Sequence, residues 1–259
     1  AQTDLERRRV ALFEQNIWER MVAGRQAYEE QEARRVPVAL TGLSPADCMK
    51  PVEPGSEGRP EVPTPLKSAV AARIKGDSPG GDPGRVDWTQ APPGACLLNW
   101  GTLDGQPTDR RLEGRLLHDG RFLYLQLQEA MDTSRLVVHG DNNIWAEDDW
   151  EIFVARERGS GYRQIGVNAN GAYQALTYGE TDRKWNLSPA VVSLGNSRCW
   201  AVRMALPLER LLPGGVEPGQ TVYLNFCRGT GAGLEAVSWN PTFGGFQEPS
   251  QLGAIELAP

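Results

Sequence analysis

Residues 112–128, LEGRLLHDGRFLYLQLQ, decide how the chain folds. Asp119-Gly120 stands between two apolar runs, a hairpin signal, because glycine accepts the left-handed backbone that tight turns need. After the turn Leu123, Leu125 and Leu127 alternate with Tyr124 and Gln126, so the leucines share one face of a strand. A second alternation puts Trp150, Ile152 and Val154 on one side and Glu151, Phe153 and Ala155 on the other. Glu151 therefore shares its face with an aromatic ring and needs a polar partner there. Further strands are read at residues 162–168, 172–176, 199–206 and 221–228, with Asn170-Gly171 as a turn and residues 207–212 as one helical turn. Short alternating segments separated by Gly, Pro, Asn and Asp, without βαβ alternation or a fixed repeat, point to a mainly β unit, an antiparallel jelly-roll-like β-sandwich.

Upstream the pattern changes twice. Residues 3–35 lack proline and repeat apolar side chains at Val10, Phe13, Ile17 and Met21, with Leu5, Trp18 and Tyr28 nearby, which predicts one long amphipathic helix. Asp4 or Thr3 suits its start and Arg34-Arg35 its end. One helix cannot bury its own stripe, so this one must pack on the following domain, an upstream domain or a second copy of itself. Residues 36–65 hold seven prolines and read as a Pro-rich connector with an edge strand at 38–40. The organisation is then a helix over 1–35, a linker over 36–65 and a β-sandwich over 66–259. The first residue is Ala1, not Met, and the charged helical pattern starts almost at once, so the chain is expected to be cut from a longer one.

Composition narrows the function. With 259 residues, 40% hydrophobic and 23% charged, the chain has material for a core and does not resemble a disordered protein. Its net charge of -6 is the wrong sign for a protein that neutralises many phosphates, so nucleic acid is not expected as a partner. No apolar run approaches the roughly 20 residues that span a bilayer, so membrane insertion is not expected either. Cys48, Cys96, Cys199 and Cys227 are widely spaced without a C-x-x-C, which removes zinc-ribbon and thioredoxin-like readings and leaves up to two disulfides or free core thiols.

The search for catalysis is mostly negative. There is no H-E-x-x-H, no G-x-S-x-G and no P-loop, and the two histidines, His118 in the Asp-Gly turn and His139 in a polar loop, read as solvated. Gly229-Thr-Gly-Ala-Gly233 follows a strand with no helical pattern behind it, so it reads as a loop and not a phosphate cradle. Asp148, Asp149 and Glu151 cluster beside tryptophans in a way that suits calcium or sugar hydroxyls. Several of the eight tryptophans sit in polar surroundings: Trp145 within residues 141–148, Trp185 beside Arg183 and Lys184, and Trp239 before Asn240. Sugar rings carry apolar C–H faces and a belt of hydroxyls, so a site for them wants flat aromatic platforms with polar groups at the edges. Trp150 and Trp200, on apolar strand faces, read as core; Trp145 reads as a binding platform.

The order of Trp88 behind an Asp/Gly-rich opening, the strand RFLYL at 121–125, NNIWAEDDWEIF at 142–153, QIGVN at 164–168, the strand from Trp200, NFCR at 225–228, SWNP at 238–241 and PSQLG at 249–253 resembles carbohydrate-binding module family nine, over about residues 66–259. The resemblance implies a calcium-containing β-sandwich that binds sugars without cleaving them, clamping a terminal sugar between two aromatic rings. Trp145 occupies the first ring position, followed by Asp148 and Glu151, and Phe246 stands where ligand-binding members carry Trp. Gly166 and Cys227 stand where the family places an Arg and a Gln. The expected ligand set is Trp145, Glu151, Asn168, Arg228, Asn240 and Phe246, with Asp148 and Asp149 as calcium ligands. An oligo- or polysaccharide is the expected partner, along with an upstream catalytic domain, in a secreted, periplasmic or cell-surface protein. Three further readings stand beside it: a structural or dimerisation domain of an upstream enzyme with no ligand of its own; a glycosidase, since some pair among 33 acids could flank one bond; and a haem domain of the same superfold, for which Met131 and His139 are the nearby axial candidates.

Overall fold

The computed structural model describes residues 3–32, 65–139, 144–159, 161–178, 185–231 and 233–259. The first unit contains α1 (Asp4–Glu32). Thr3, the better of the two candidate caps, starts it with a capping box: its Oγ1 accepts from Glu6 N at 3.1 Å while Glu6 Oε2 accepts from Thr3 N at 2.9 Å. The expected stripe exists and is exposed, from 37% at Ile17 to 65% at Phe13. The expected connector, except Pro65, with its edge strand and the expected helix end at Arg34-Arg35, lies outside the described residues.

Leu66–Pro259 forms a second compact unit. Its strands are β1 (Ser68–Arg73), β2 (Cys96–Leu97), β3 (Gly101–Thr102), β4 (Arg111–His118), β5 (Phe122–Ala130), β6 (Asp149–Ala155), β7 (Tyr162–Asn168), β8 (Tyr173–Tyr178), β9 (Ala190–Asn196), β10 (Cys199–Pro207), β11 (Thr221–Gly229), β12 (Val237–Ser238) and β13 (Gly253–Leu257). A single turn, α2 (Leu208–Leu211), follows β10 as the sequence suggests. The strands run β8-β7-β6-β11-β13-β1-β4-β5-β10-β9 in one sheet rolled nearly into a barrel. Its two ends approach each other where Ser193 Oγ donates to Ala169 O at 2.6 Å.

The quoted hairpin forms β4 and β5, with His118 opposite Leu123. Asp119 Oδ1 accepts from the backbone N–H of Arg121 and Phe122, and Gly120 takes φ 88°. Most pairings are antiparallel, but β1 is the correction to a purely antiparallel expectation. Its first four residues pair parallel with β13 and its last two parallel with β4, so one strand splices the two halves of the sheet. Both halves turn an apolar face to one core: Trp150, Ile152 and Val154 of β6 and Leu224 and Phe226 of β11 share it with Leu123, Leu125 and Leu127 of β5 and Val202 and Met204 of β10. Trp150 and Trp200 join the halves, ring centroids 5.9 Å apart. Each such side chain withdrawn from water stabilises the fold by about 1.5–3 kcal/mol.

The outer faces are covered as well. Tyr124 packs with Val86, Trp88 and Ala205 on one half, and Phe153 and Ala155 with Tyr162, Cys227 and Leu252 on the other. This burial overturns two expectations. His118 is fully buried, its Nδ1 accepting from Gly120 N, and burial holds its imidazole below the usual histidine range. Trp239, expected in polar surroundings, is 2% exposed and packs edge-on against Phe226. Cys96, Cys199 and Cys227 are free thiols, so none of them forms one of the disulfides left open by the sequence.

Candidate functional site

The outer face of β6 carries Asp149, Glu151 and Phe153, because strand alternation sends Trp150 and Ile152 inward. Register sets Gly166 of β7 and Cys227 of β11 beside Glu151, and Gln174 of β8 beside Gly166. Over this floor lie a 3-10 turn, Ile144–Ala146, which supplies Trp145, and the loop before residue 249, which supplies Phe246. Together they enclose a cleft of about 450 Å³ lined by Trp145, Glu151, Gln164, Leu176, Tyr178, Gly245, Phe246 and Gln247.

Both rings are partly exposed. Trp145 is seated on the backbone of Gly166, and its Nε1 donates to Gln174 Oε1 at 2.9 Å, which fixes the ring's orientation. Phe246 packs against the outer cluster that includes Phe153, Tyr162 and Cys227. In the same lining Glu151, 7% exposed, finds the partner its burial demands: Gln164 Nε2 donates to its Oε2 at 2.5 Å. Burial raises the Glu151 carboxyl above the ordinary range, the Gln164 hydrogen bond opposing it. Asp149 is raised more, first by burial and then by repulsion from Glu151, with Arg228 pulling the other way.

The cleft gathers Trp145, Glu151 and Phe246 of the expected ligand set; Gln164 and Gln247 are lining residues the sequence reading missed. Trp145 was marked by its polar surroundings, and Phe246, with Glu151, by the family resemblance. Gln164 could have been found as the polar partner that Glu151 required, since it stands on the next strand of the same face.

The other candidates are placed elsewhere, and each has a physical reason. Arg228 falls on the opposite parity of β11 from Cys227, so it enters the core. There its Nε donates to Glu129 Oε2 at 3.0 Å and its Nη2 to Asp148 Oδ1 at 2.7 Å, with the guanidinium 4.5 Å from the Trp200 centroid. Asn168 is fully buried, donating to Glu147 Oε2 and accepting from Asn170 and Ala172 N to build the β7–β8 turn. Asn240 is fully buried too, accepting from Lys67 N and pairing through its backbone with Asn225. Lys67 caps this group by donating to the carbonyls of Asn99 and Trp239, and burial lowers its amine to about 8.

Asp148 and Asp149 do not fit a calcium ion. Calcium takes six to eight oxygens, whereas Asp148 Oδ1 receives Arg228 and its Oδ2 receives Val137 N at 2.7 Å, and Asp149 lies on the outer face, away from it. Among the described residues no group of three or more His, Cys, Asp or Glu is arranged to hold a metal ion. No helix among them is long and apolar enough to cross a membrane.

No protein-family model and no curated protein sequence matches the chain. Solved structures do. A protein of Bacteroides uniformis described as carbohydrate-binding superposes with a TM-score of 0.57 at 19% identity, covering 74% of this chain and 99% of that one. A family 9 carbohydrate-binding module (CBM9) of Caldicellulosiruptor kristjanssonii superposes in its cellotriose complex with a TM-score of 0.55 at 16% identity, and in its glucose complex with a TM-score of 0.55 at 17%. Those two cover 74% of this chain and 94% and 95% of their own. By fold, the chain carries a CBM9-like domain.

Proposed function

We propose that residues 66–259 bind carbohydrate without cleaving it, holding a sugar ring between Trp145 and Phe246 with Glu151, Gln164 and Gln247 at its edge. The observation that carries this reading is the pair of partly exposed rings lining one cleft over a buried, hydrogen-bonded carboxyl. Aromatic faces match the apolar faces of a pyranose, and the Glu151–Gln164 pair matches its hydroxyl edge. Glycoside cleavage needs two carboxyl groups flanking one bond, and among the described residues Glu151 is the one carboxyl that lines the cleft, Asp149 being 1% exposed. The rolled sheet is read as a jelly-roll-like sandwich, residues 36–65 as a Pro-rich connector, and the whole as an appendage of a polysaccharide-acting protein outside the cytoplasm. Binding should fall between millimolar and micromolar, about 4 to 8 kcal/mol, since the cleft is small. Calorimetric titration with mono- and oligosaccharides tests it: the parent chain binds and Trp145→Ala loses at least about ten-fold. No heat with any glycan at millimolar concentration would reject it.

A second reading, a dimerisation or accessory domain of an upstream enzyme, is favoured by one observation, the exposed stripe of Val10, Phe13, Ile17 and Met21 on α1. A chain that binds no sugar yet sediments as a dimer would support it.

A further inference from the structure

We infer that the cleft selects sugars bearing an ammonium group, a 2-amino-2-deoxyhexose such as glucosamine, over neutral sugars and uronic acids. The inference rests on the carbohydrate reading above and concerns what the polar edge of the same cleft asks of its ligand.

That edge is short of donors and of positive charge. Gln164, 2% exposed, spends one amide N–H on Glu151 Oε2, and its own Oε1 is buried without a hydrogen-bond partner. The amide orientation follows from the carboxyl it faces, since turning it over would set oxygen against oxygen. Asp149 Oδ2, on the same face of β6 two residues away, is likewise buried and unpartnered. Across the register from Glu151 stands the Cys227 side chain, fully buried and uncharged. Among the described residues that line the cleft there is no lysine or arginine. The guanidiniums of Arg163 and Arg228 on the floor strands lie on the opposite parity from the cleft: Arg163 donates to the carbonyls of Arg210 and Leu211, and Arg228 is held by Glu129 and Asp148.

A buried acceptor left without a donor is costly, so a ligand that supplies one gains what the free protein lacks. A neutral hydroxyl supplies one donor. An ammonium supplies three and a positive charge; its approach favours the ionised form of the Glu151 carboxyl, which burial otherwise raises, and the charge-assisted hydrogen bonds so made are about twice as strong as neutral ones. The indole of Trp145 and the rings of Tyr178 and Phe246 add negative faces toward which a cation is drawn. A uronic acid brings a negative charge that opposes ionisation of Glu151 and Asp149 where an ammonium favours it, and the net charge of -6 on the chain adds to the repulsion.

Titration of the whole chain with D-glucosamine, N-acetyl-D-glucosamine, D-glucose and D-glucuronate, at a pH where the amine is protonated, tests the inference. Glucosamine should bind about ten-fold or more tightly than glucose. N-acetylation, which removes the charge, should return affinity to the glucose level, and glucuronate should not bind measurably. Glu151→Gln should cost glucosamine more than glucose; the ligand series on the parent chain stands even if that variant folds poorly. Glucose binding as tightly as glucosamine would overturn the selectivity and leave sugar binding intact. Absence of binding by every sugar would overturn both.

Discussion

The indole of Trp145 lies across the backbone of Gly166: a Cβ on residue 166 would stand 2.5 Å from Cζ3 and 2.7 Å from Cη2 of the ring. The absence of a side chain on β7 is therefore what lets the ring settle onto the sheet. The family resemblance places an arginine here, and in this chain the space is filled by the ring of Trp145.

Gly166→Ala should unseat that ring. Contacts under 3.0 Å force a shift, and the movable atoms belong to an indole anchored at its Nε1 by Gln174. The expected result is a loss of sugar affinity of about ten-fold with a small change in melting temperature, since the site lies outside the main core. Tryptophan fluorescence together with titration checks it. Unchanged affinity and unchanged emission would show that the ring does not rest on Gly166.

Arg228 is the cation of the core, and its removal should be severe. It is fully buried and bridges Glu129 of β5 to Asp148 just before β6, so it fastens one half of the sheet to the other. Arg228→Met leaves the Asp148 carboxylate buried without its counter-charge, a loss of about 3–5 kcal/mol. Urea unfolding measures it, and added calcium should not restore the loss because Asp148 and Asp149 do not converge on one ion. A loss under about 1 kcal/mol, or rescue by calcium, would contradict the assignment.

The misplaced Arg228 shows where residue patterns lose their reach. Alternation in β5 and β6 gave the inward leucines and Trp150 because those faces are uniformly apolar, and the Asp119-Gly120 turn could be read from local chemistry alone. In β11 the inward positions run Leu224, Phe226, Arg228. A charged residue at the end of an apolar series looks solvent-facing until its carboxylate partners, 80 and 99 residues away in sequence, are known. Asn168 and Asn240 misled for a related reason, since asparagine that builds a turn or ties two loops cannot be told by type from asparagine that meets a ligand. Trp145 and Phe246 could be paired only through the family order, 101 positions separating them. Gln164 was recoverable from strand parity, and β1, β2, β3, β9, β12 and β13 were missed.

Asp119 should prove the keystone of the β4–β5 turn. It accepts from Ser78 Oγ, Arg121 N, Phe122 N and Tyr124 Oη. Burial pushes its carboxyl up, but these four donors outweigh burial and hold it below the usual range. A depressed carboxylate contributes stability that is present above its unfolded value near 4 and is lost as pH falls through the folded value. Asp119→Ala should cost about 2 kcal/mol at neutral pH and less in acid. Equal losses at pH 7 and pH 3, by urea unfolding, would count against this role.

Asp149 and Glu151 act in the opposite direction. Their folded values are raised, to about 8 and about 7, while the unfolded chain ionises near 4. Between those limits the folded state holds protons that the unfolded state has released, so the contribution of the pair to stability falls as pH rises through the window. His118, buried with its imidazole below the usual range, opposes this below its unfolded value near 6.5, where acid favours the unfolded chain. The slope of the parent alone therefore mixes two signs, and the informative quantity is the difference between the parent and Asp149→Asn/Glu151→Gln. Relative to that double variant, the parent should lose melting temperature steadily from pH 5 to pH 8. A difference that stays flat across the range, or grows in the parent's favour, would mean that the two carboxyls are ionised in the folded protein and that the cleft floor is wetter than its burial implies.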